Sequence, residues 1–335
     1  MTGSNLSRPG LSDLSRPGLG RSVPGLSRRG LLLLGVGALA GCSDSSGSTG
    51  SAGTPAPTSA GGSSTGGTTT TPPSAPGSPS PSSPSSSPST PSAPALPTIK
   101  AWSPGPGEMK PEVKVAAVRA TEDLLSRDHG RSAVAITDAQ YGGILSDSAS
   151  VLVVCRQYYL VDGKVVTGGT TVDVRLSRSG QTWRVTALNR AQPGAAAKQL
   201  TTAAKRVLAN DRITLPSASL ADIRSGQVHD SVLNAMLSLA ENYRIGVSVI
   251  RSGHPINVFG TNRPSDHPRG RAFDTWQING LPVVAPSTSR SLITGYMRAA
   301  ASAGSYNVGG PVQLNGSTYF SDTTHHDHVH AGFTT

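Results

Sequence analysis

Apolar and polar residues divide the chain into stretches of very different texture. Residues 31–40 are a short apolar run, whereas residues 43–97 consist of Ser, Thr, Pro, Gly and Ala with one Asp and one Leu. Past residue 97 the pattern becomes periodic. Residues 111–127 carry Val113, Ala117, Ala120 and Leu124 at helical spacing, which predicts a helix with that face inward. Three strand-like runs follow at 149–161, 164–176 and 181–189, separated by Asp162-Gly163 and Ser179-Gly180, both hairpin signals. A helix over an antiparallel meander is the unit these residues predict.

The C-terminal part alternates differently. A helix is expected from Gly194 to about Asn210, then a connecting piece at 216–226. Asp230 is read as the cap of a helix over 231–243, with Val232, Met236, Leu239 and Ala240 inward. Residues 245–250 (IGVSVI) read as a buried strand running into Arg251. Asn279-Gly280 closes a hairpin between 276–278 and 281–284, a helix covers about 287–303, and a last strand covers 328–333. The fold class is therefore α+β: a small, mostly antiparallel sheet with helices over 193–335, preceded by the helix-plus-meander domain over 98–192. The latter resembles small nuclear-transport-factor-like or cystatin-like folds in architecture and shows no catalytic constellation. Cys155, inside an apolar run, is read as an inert buried thiol.

Composition changes the picture at the N-terminal side. Hydrophobic residues are 36% and aromatics 4% of 335 residues, low for a wholly folded chain. The apolar run of 31–40 is too short to span a bilayer but suits an export signal. It follows a basic segment containing Arg28-Arg29, which suggests the folded-protein export route. It ends Leu39-Ala40-Gly41-Cys42, similar to a bacterial lipobox. Cleavage before Cys42 and lipidation of its thiol are expected, leaving the protein on the outer face of the cytoplasmic membrane. Residues 43–97 then form a linker with nothing to build a core from. The formal charge is +10, and 98–335 carry 24 Lys and Arg against 17 Asp and Glu. That excess is spread along the chain without aromatic interleaving, so nucleic-acid binding is not supported. An anionic cell envelope suits it better.

Chemistry concentrates in two places. Residues 265–274 read SDHPRGRAFD and residues 325–330 read HHDHVH; six of the eight histidines fall between His254 and His330. A strand puts residues i and i+2 on one face, so His328 and His330 point the same way if they lie on one. Gly270 suits a turn that leads into a second strand carrying Asp274. Imidazole and carboxylate are zinc ligands, and a catalytic zinc takes three protein ligands with one position left open. His254, His325 and His326 are read as structural or loop residues, and His129 and His229 as surface.

Ser265-x-His267-x-x-Gly270-x-Ala272-x-Asp274 resembles the S-x-H-x-x-G-x-A-x-D signature of D-alanyl-D-alanine peptidases. These are relatives of the L-alanyl-D-glutamate endopeptidases of phage lysins, of lysostaphin-type peptidases and of the hedgehog domain. The resemblance covers about residues 215–335. It implies zinc as cofactor, His267, Asp274 and His330 as ligands, and Asp327, three residues before the last ligand, as general base. His328 would donate to the developing oxyanion and Ser265 would support the site. Arg251 stands near the place of the family's substrate-polarising arginine, although it precedes Ser252-Gly253 rather than following it. The expected function is a zinc-dependent peptidase cutting peptidoglycan stem peptides at D-Ala or D-Glu linkages. The alternative is a zinc-containing wall-binding module without catalysis.

Overall fold

The structure, a computed structural model, describes residues 94–335, which fall within one compact unit. The signal segment, Cys42 and nearly all of the linker lie outside the described residues. The class is α+β, with five α-helices, an antiparallel four-stranded sheet and a mixed seven-stranded one.

The first sheet begins with α1 (Pro111–Leu125) and continues through β1 (Ser132–Ile144), β2 (Ser148–Val161), β3 (Lys164–Ser179) and β4 (Thr182–Arg190), in that order as an antiparallel meander. Asp162 and Gly163 both adopt positive φ (49° and 72°), as a tight two-residue hairpin turn requires. The buried face of α1 is rotated from the expected one: Val113, Lys114, Ala117, Val118, Thr121 and Leu125 are inside, while Ala120 and Leu124 are only half-buried. The cause is Lys114, whose charge has buried partners and so takes a core position. Strand β1 was not expected from its sequence, yet it forms the edge that faces the C-terminal residues. On β2, Val151, Val153 and Cys155 face the α1 core, while Leu152 and Val154 join Val249 in a small cluster on the other side. Both faces of this strand are buried, which accounts for its uninterrupted apolar run.

The second sheet is built from β5 (Ile213–Thr214), β6 (Ile245–Val249), β7 (Ala272–Ile278), β8 (Leu281–Pro282), β9 (Asn307–Gly309), β10 (Tyr319–Phe320) and β11 (Val329–Gly332). Its order is β10-β9-β11-β7-β6-β5, with β8 hairpinned onto β7. The β5/β6 and β9/β10 pairs are parallel and the others antiparallel. Helices α2 (Thr202–Leu208), α3 (Ser217–Arg224), α4 (Asp230–Asn242) and α5 (Arg290–Ser302) pack around it.

Three expectations are corrected here. Residues 194–201 are not helical, and α2 starts only after Thr201, whose hydroxyl accepts from the Ala204 N–H at 3.1 Å. The connecting piece at 216–226 contains α3. Asp230 is the first residue of α4 rather than its cap, and its carboxylate accepts from the Thr201 hydroxyl at 2.7 Å.

Candidate metal centre

The site forms where β7 and β11 lie side by side. Register sets Asp274 directly opposite His330, and neighbouring β6 sets Val249 opposite Asp274 on its other side. Directly paired residues share a sheet face and stand close together, so two of the three expected ligands are brought together by strand pairing alone.

His267 arrives from the turn before β7. The His267 carbonyl accepts from the Gly270 N–H at 2.8 Å, and the Asp266 carbonyl accepts from Arg271 at 3.0 Å. Gly270 sits at φ 70°, and a β-carbon there would lie 2.0 Å from the Gln227 carbonyl oxygen, so only glycine fits. Ser265 Oγ accepts from the His267 N–H at 3.3 Å. Ala272 is fully buried opposite Gly332.

Three donor atoms converge. His267 Nε2 lies 3.1 Å from Asp274 Oδ1 and 3.1 Å from His330 Nδ1, and His330 Nδ1 lies 3.0 Å from Asp274 Oδ1. Their spacing fits a small cation: donors ~2.0–2.1 Å from a tetrahedral zinc stand about 3.3 Å apart. The protons argue the same way. His267 Nδ1 donates to the Ile250 carbonyl at 2.8 Å, so in the neutral ring Nε2 presents a lone pair. A ring lone pair and a carboxylate oxygen in contact need a proton or a cation between them. His254 stacks on His267 with centroids 4.1 Å apart and brings a donor within 4.8 Å of those of His267 and Asp274. The separations of His330 from His267 and Asp274 are the shorter ones.

The electrostatics match. Burial alone would raise the Asp274 carboxyl, but the neighbouring His267 and His328 rings hold it well below the usual carboxylate range. Burial lowers His330 to about 4, against the pull of Asp274, so the ring is neutral at physiological pH. Burial and the neighbouring His267 also lower His254.

Asp327 is placed differently from expectation. Its Oδ1 lies 2.6 Å from His328 Nδ1, and its Oδ2 meets Lys114 Nζ at 2.7 Å and the Tyr141 N–H at 3.1 Å. Both oxygens are engaged, and Lys114 is also paired with Glu108. The carboxylate stands behind His328, whose Nε2 lies 3.8 Å from Asp274 Oδ2. Burial opposes the charge on His328, yet Asp274 and Asp327 together push the ring up to about 9. Burial also opposes the Asp327 charge, but Lys114 and His328 hold its carboxyl far below the usual range.

Arg251 does not reach the cleft. Its Nη1 donates to the Pro193 carbonyl at 3.4 Å and lies 3.7 Å from Asp222, whose other oxygen accepts the Arg251 N–H at 3.1 Å. The cleft over the donors has a volume of about 570 Å³, and its cationic lining comes from Arg263 and Arg269. Tyr141 and Leu145 of the meander, with Val258 and Phe259, form an apolar wall. Phe259 lies across Gly143, where any β-carbon would overlap it.

No protein family, curated protein or solved structure matches the chain.

Proposed function

We propose that this chain is a zinc-dependent peptidase acting on peptidoglycan stem peptides, exported and held at the outer face of the cytoplasmic membrane through a lipid on Cys42. The convergence of His267 Nε2, Asp274 Oδ1 and His330 Nδ1 within 3.1 Å at the floor of an open cleft carries this reading. It is supported by the S-x-H-x-x-G-x-A-x-D pattern, in which Ser265 accepts from the His267 N–H and Gly270 takes a conformation that only glycine fits.

A zinc ion held by these three residues would polarise a scissile carbonyl and lower the pKa of a water molecule to ~7. His328 carries the proton: its Nε2 is turned toward Asp274, and its Nδ1 is fixed by Asp327. As an imidazolium it donates to the oxygen that becomes negative, and its proton can pass to the leaving amine. Asp327 acts through His328, orienting the ring and stabilising its charge, rather than as the base itself. Arg263 and Arg269 on the cleft wall suit the carboxylates of stem peptides.

The fixed position of Arg251 away from the cleft favours a second reading, a zinc-containing module that binds wall peptides without cutting them. Incubating the zinc-loaded protein with stem pentapeptides and with purified peptidoglycan separates the two. New amino termini that vanish with chelator support the peptidase. Stoichiometric zinc and peptide binding without any cleavage product support the module.

A further inference from the structure

We propose that Gln140, on the N-terminal meander, is a positioning residue for the metal carboxylate, so that residues 98–192 set the metal affinity of a centre whose ligands all lie in the C-terminal part. This rests on the metal reading above and assigns a role to the meander, in which the sequence shows no chemistry.

Asp274 has two oxygens with different partners. Oδ1 faces His267 and His330, while Oδ2 accepts from Gln140 Nε2 at 2.6 Å. The orientation of the Gln140 amide is fixed by its neighbours. A carboxylate only accepts, so the amide NH2 must face Asp274, and the amide oxygen accepts from the Ser248 hydroxyl. Ser248 Oγ also lies 3.3 Å from the Asp274 carbonyl oxygen, tying the amide to both ends of the same residue. Gln140, Ser248 and Asp274 are all buried to within 1% of full burial. Without water to replace a lost partner, a carboxylate there depends on this donor.

The backbone is arranged for this contact. Strand β1 has register irregularities between Ile136 and Asp138 and between Tyr141 and Gly143, on either side of Gln140. Bulges of this kind re-aim side chains beside functional sites. Ala139 and Tyr141 remain in the α1 core, and Gln140 points out of the opposite face. The chemistry of the donor also suits the task. A neutral amide fixes which carboxylate oxygen faces the imidazoles and leaves the full negative charge for a cation; a guanidinium or ammonium would neutralise it. Such outer partners typically govern metal affinity by ~10–100-fold.

The test measures zinc affinity of the full chain by competition with a chromophoric chelator, with circular dichroism to follow folding. Four variants accompany the wild type: Gln140→Leu, Ser248→Ala, the double variant, and Val134→Ala on the same strand. The expected result is zinc binding weakened ~10–100-fold by Gln140→Leu. Ser248→Ala should weaken it less, and the double variant should be no weaker than Gln140→Leu alone, because the serine acts through the amide. Val134→Ala thins the meander core without touching Asp274 and should keep wild-type affinity. Wild-type affinity in Gln140→Leu, or an equal loss in Val134→Ala, would overturn the proposal and leave the metal reading intact. If Gln140→Leu fails to fold, Ser248→Ala decides, and unchanged affinity there overturns it. A wild-type protein that takes up no zinc overturns the metal reading and this proposal together.

Discussion

Asp327 and His328 are neighbours in sequence whose side chains fold back on each other, Oδ1 to Nδ1 at 2.6 Å, so that the carboxylate stands behind the imidazole. Asp327→Asn should therefore damage turnover through the ring it orients. The amide can present a donor to Nδ1 and favour the wrong tautomer, and loss of proton transfer typically costs ~10²–10⁴-fold in rate. Zinc content should stay at the wild-type level because Asp327 touches none of the three donors. Parallel measurements of kcat on a stem peptide and of bound zinc check this; a variant that cleaves at wild-type rate removes Asp327 from the mechanism.

Lys114 ties the meander to the same pair. Its ammonium is wholly buried, with Glu108 and Asp327 as partners. Burial works against its charge, but the two carboxylates raise its pKa above the ordinary lysine value. Lys114→Met would leave two buried carboxylates without their cation, and breaking a buried pair in this way costs roughly 3–5 kcal/mol. Chemical denaturation of the variant should show a loss of that order. A loss under ~1 kcal/mol would mean that the pair contributes little.

Stability of the metal-free protein should fall with alkaline pH. His328 is raised to about 9 in the fold, against ~6.5 in an unfolded chain. A raised pKa contributes stability that is complete below the unfolded value and lost as pH rises through the folded one. Melting temperatures in chelator should therefore decline from pH ~7 to ~8, above the range in which the lowered His254 and His330 act the other way. His328→Gln should flatten the decline; an unchanged slope would assign it to another group.

Gly270→Ala tests the turn that delivers His267. The backbone is at φ 70° and the added methyl would lie 2.0 Å from the Gln227 carbonyl oxygen. A destabilisation of at least ~1 kcal/mol is expected from the strain, with weaker zinc binding as His267 shifts. Thermal melts and chelator competition measure both, and a neutral outcome in both would show that the turn has slack.

The part of the site that could be read from sequence is the part made by local pattern. His267, Gly270 and Asp274 lie on one turn and strand, whereas the long-range pairing that sets His330 opposite Asp274 was expected only from the family resemblance. The hairpin turns at Asp162-Gly163 and Asn279-Gly280 were legible because both central residues need positive φ. Strand β1 was not, because its site-facing residues Asp138 and Gln140 are polar and Gly142-Gly143 mimics a turn. Lys114 was hidden for a related reason: a charged residue is assigned to the solvent face unless its buried partners, 6 and 213 residues away, are known. Arg251 illustrates the reverse error. Its place beside Ser252-Gly253 suggested the cleft, but Asp222 from α3, an unexpected helix, holds it elsewhere.

The central claim is that His267, Asp274 and His330 hold one zinc ion, and metal content tests it most directly. Full-length protein dialysed against limiting zinc is compared with His330→Ala by elemental analysis, with circular dichroism to confirm that both are folded. The account predicts one zinc per chain in the wild type and almost none in the variant. A folded wild type with no stoichiometric zinc, or a His330→Ala protein that retains it, would contradict the account.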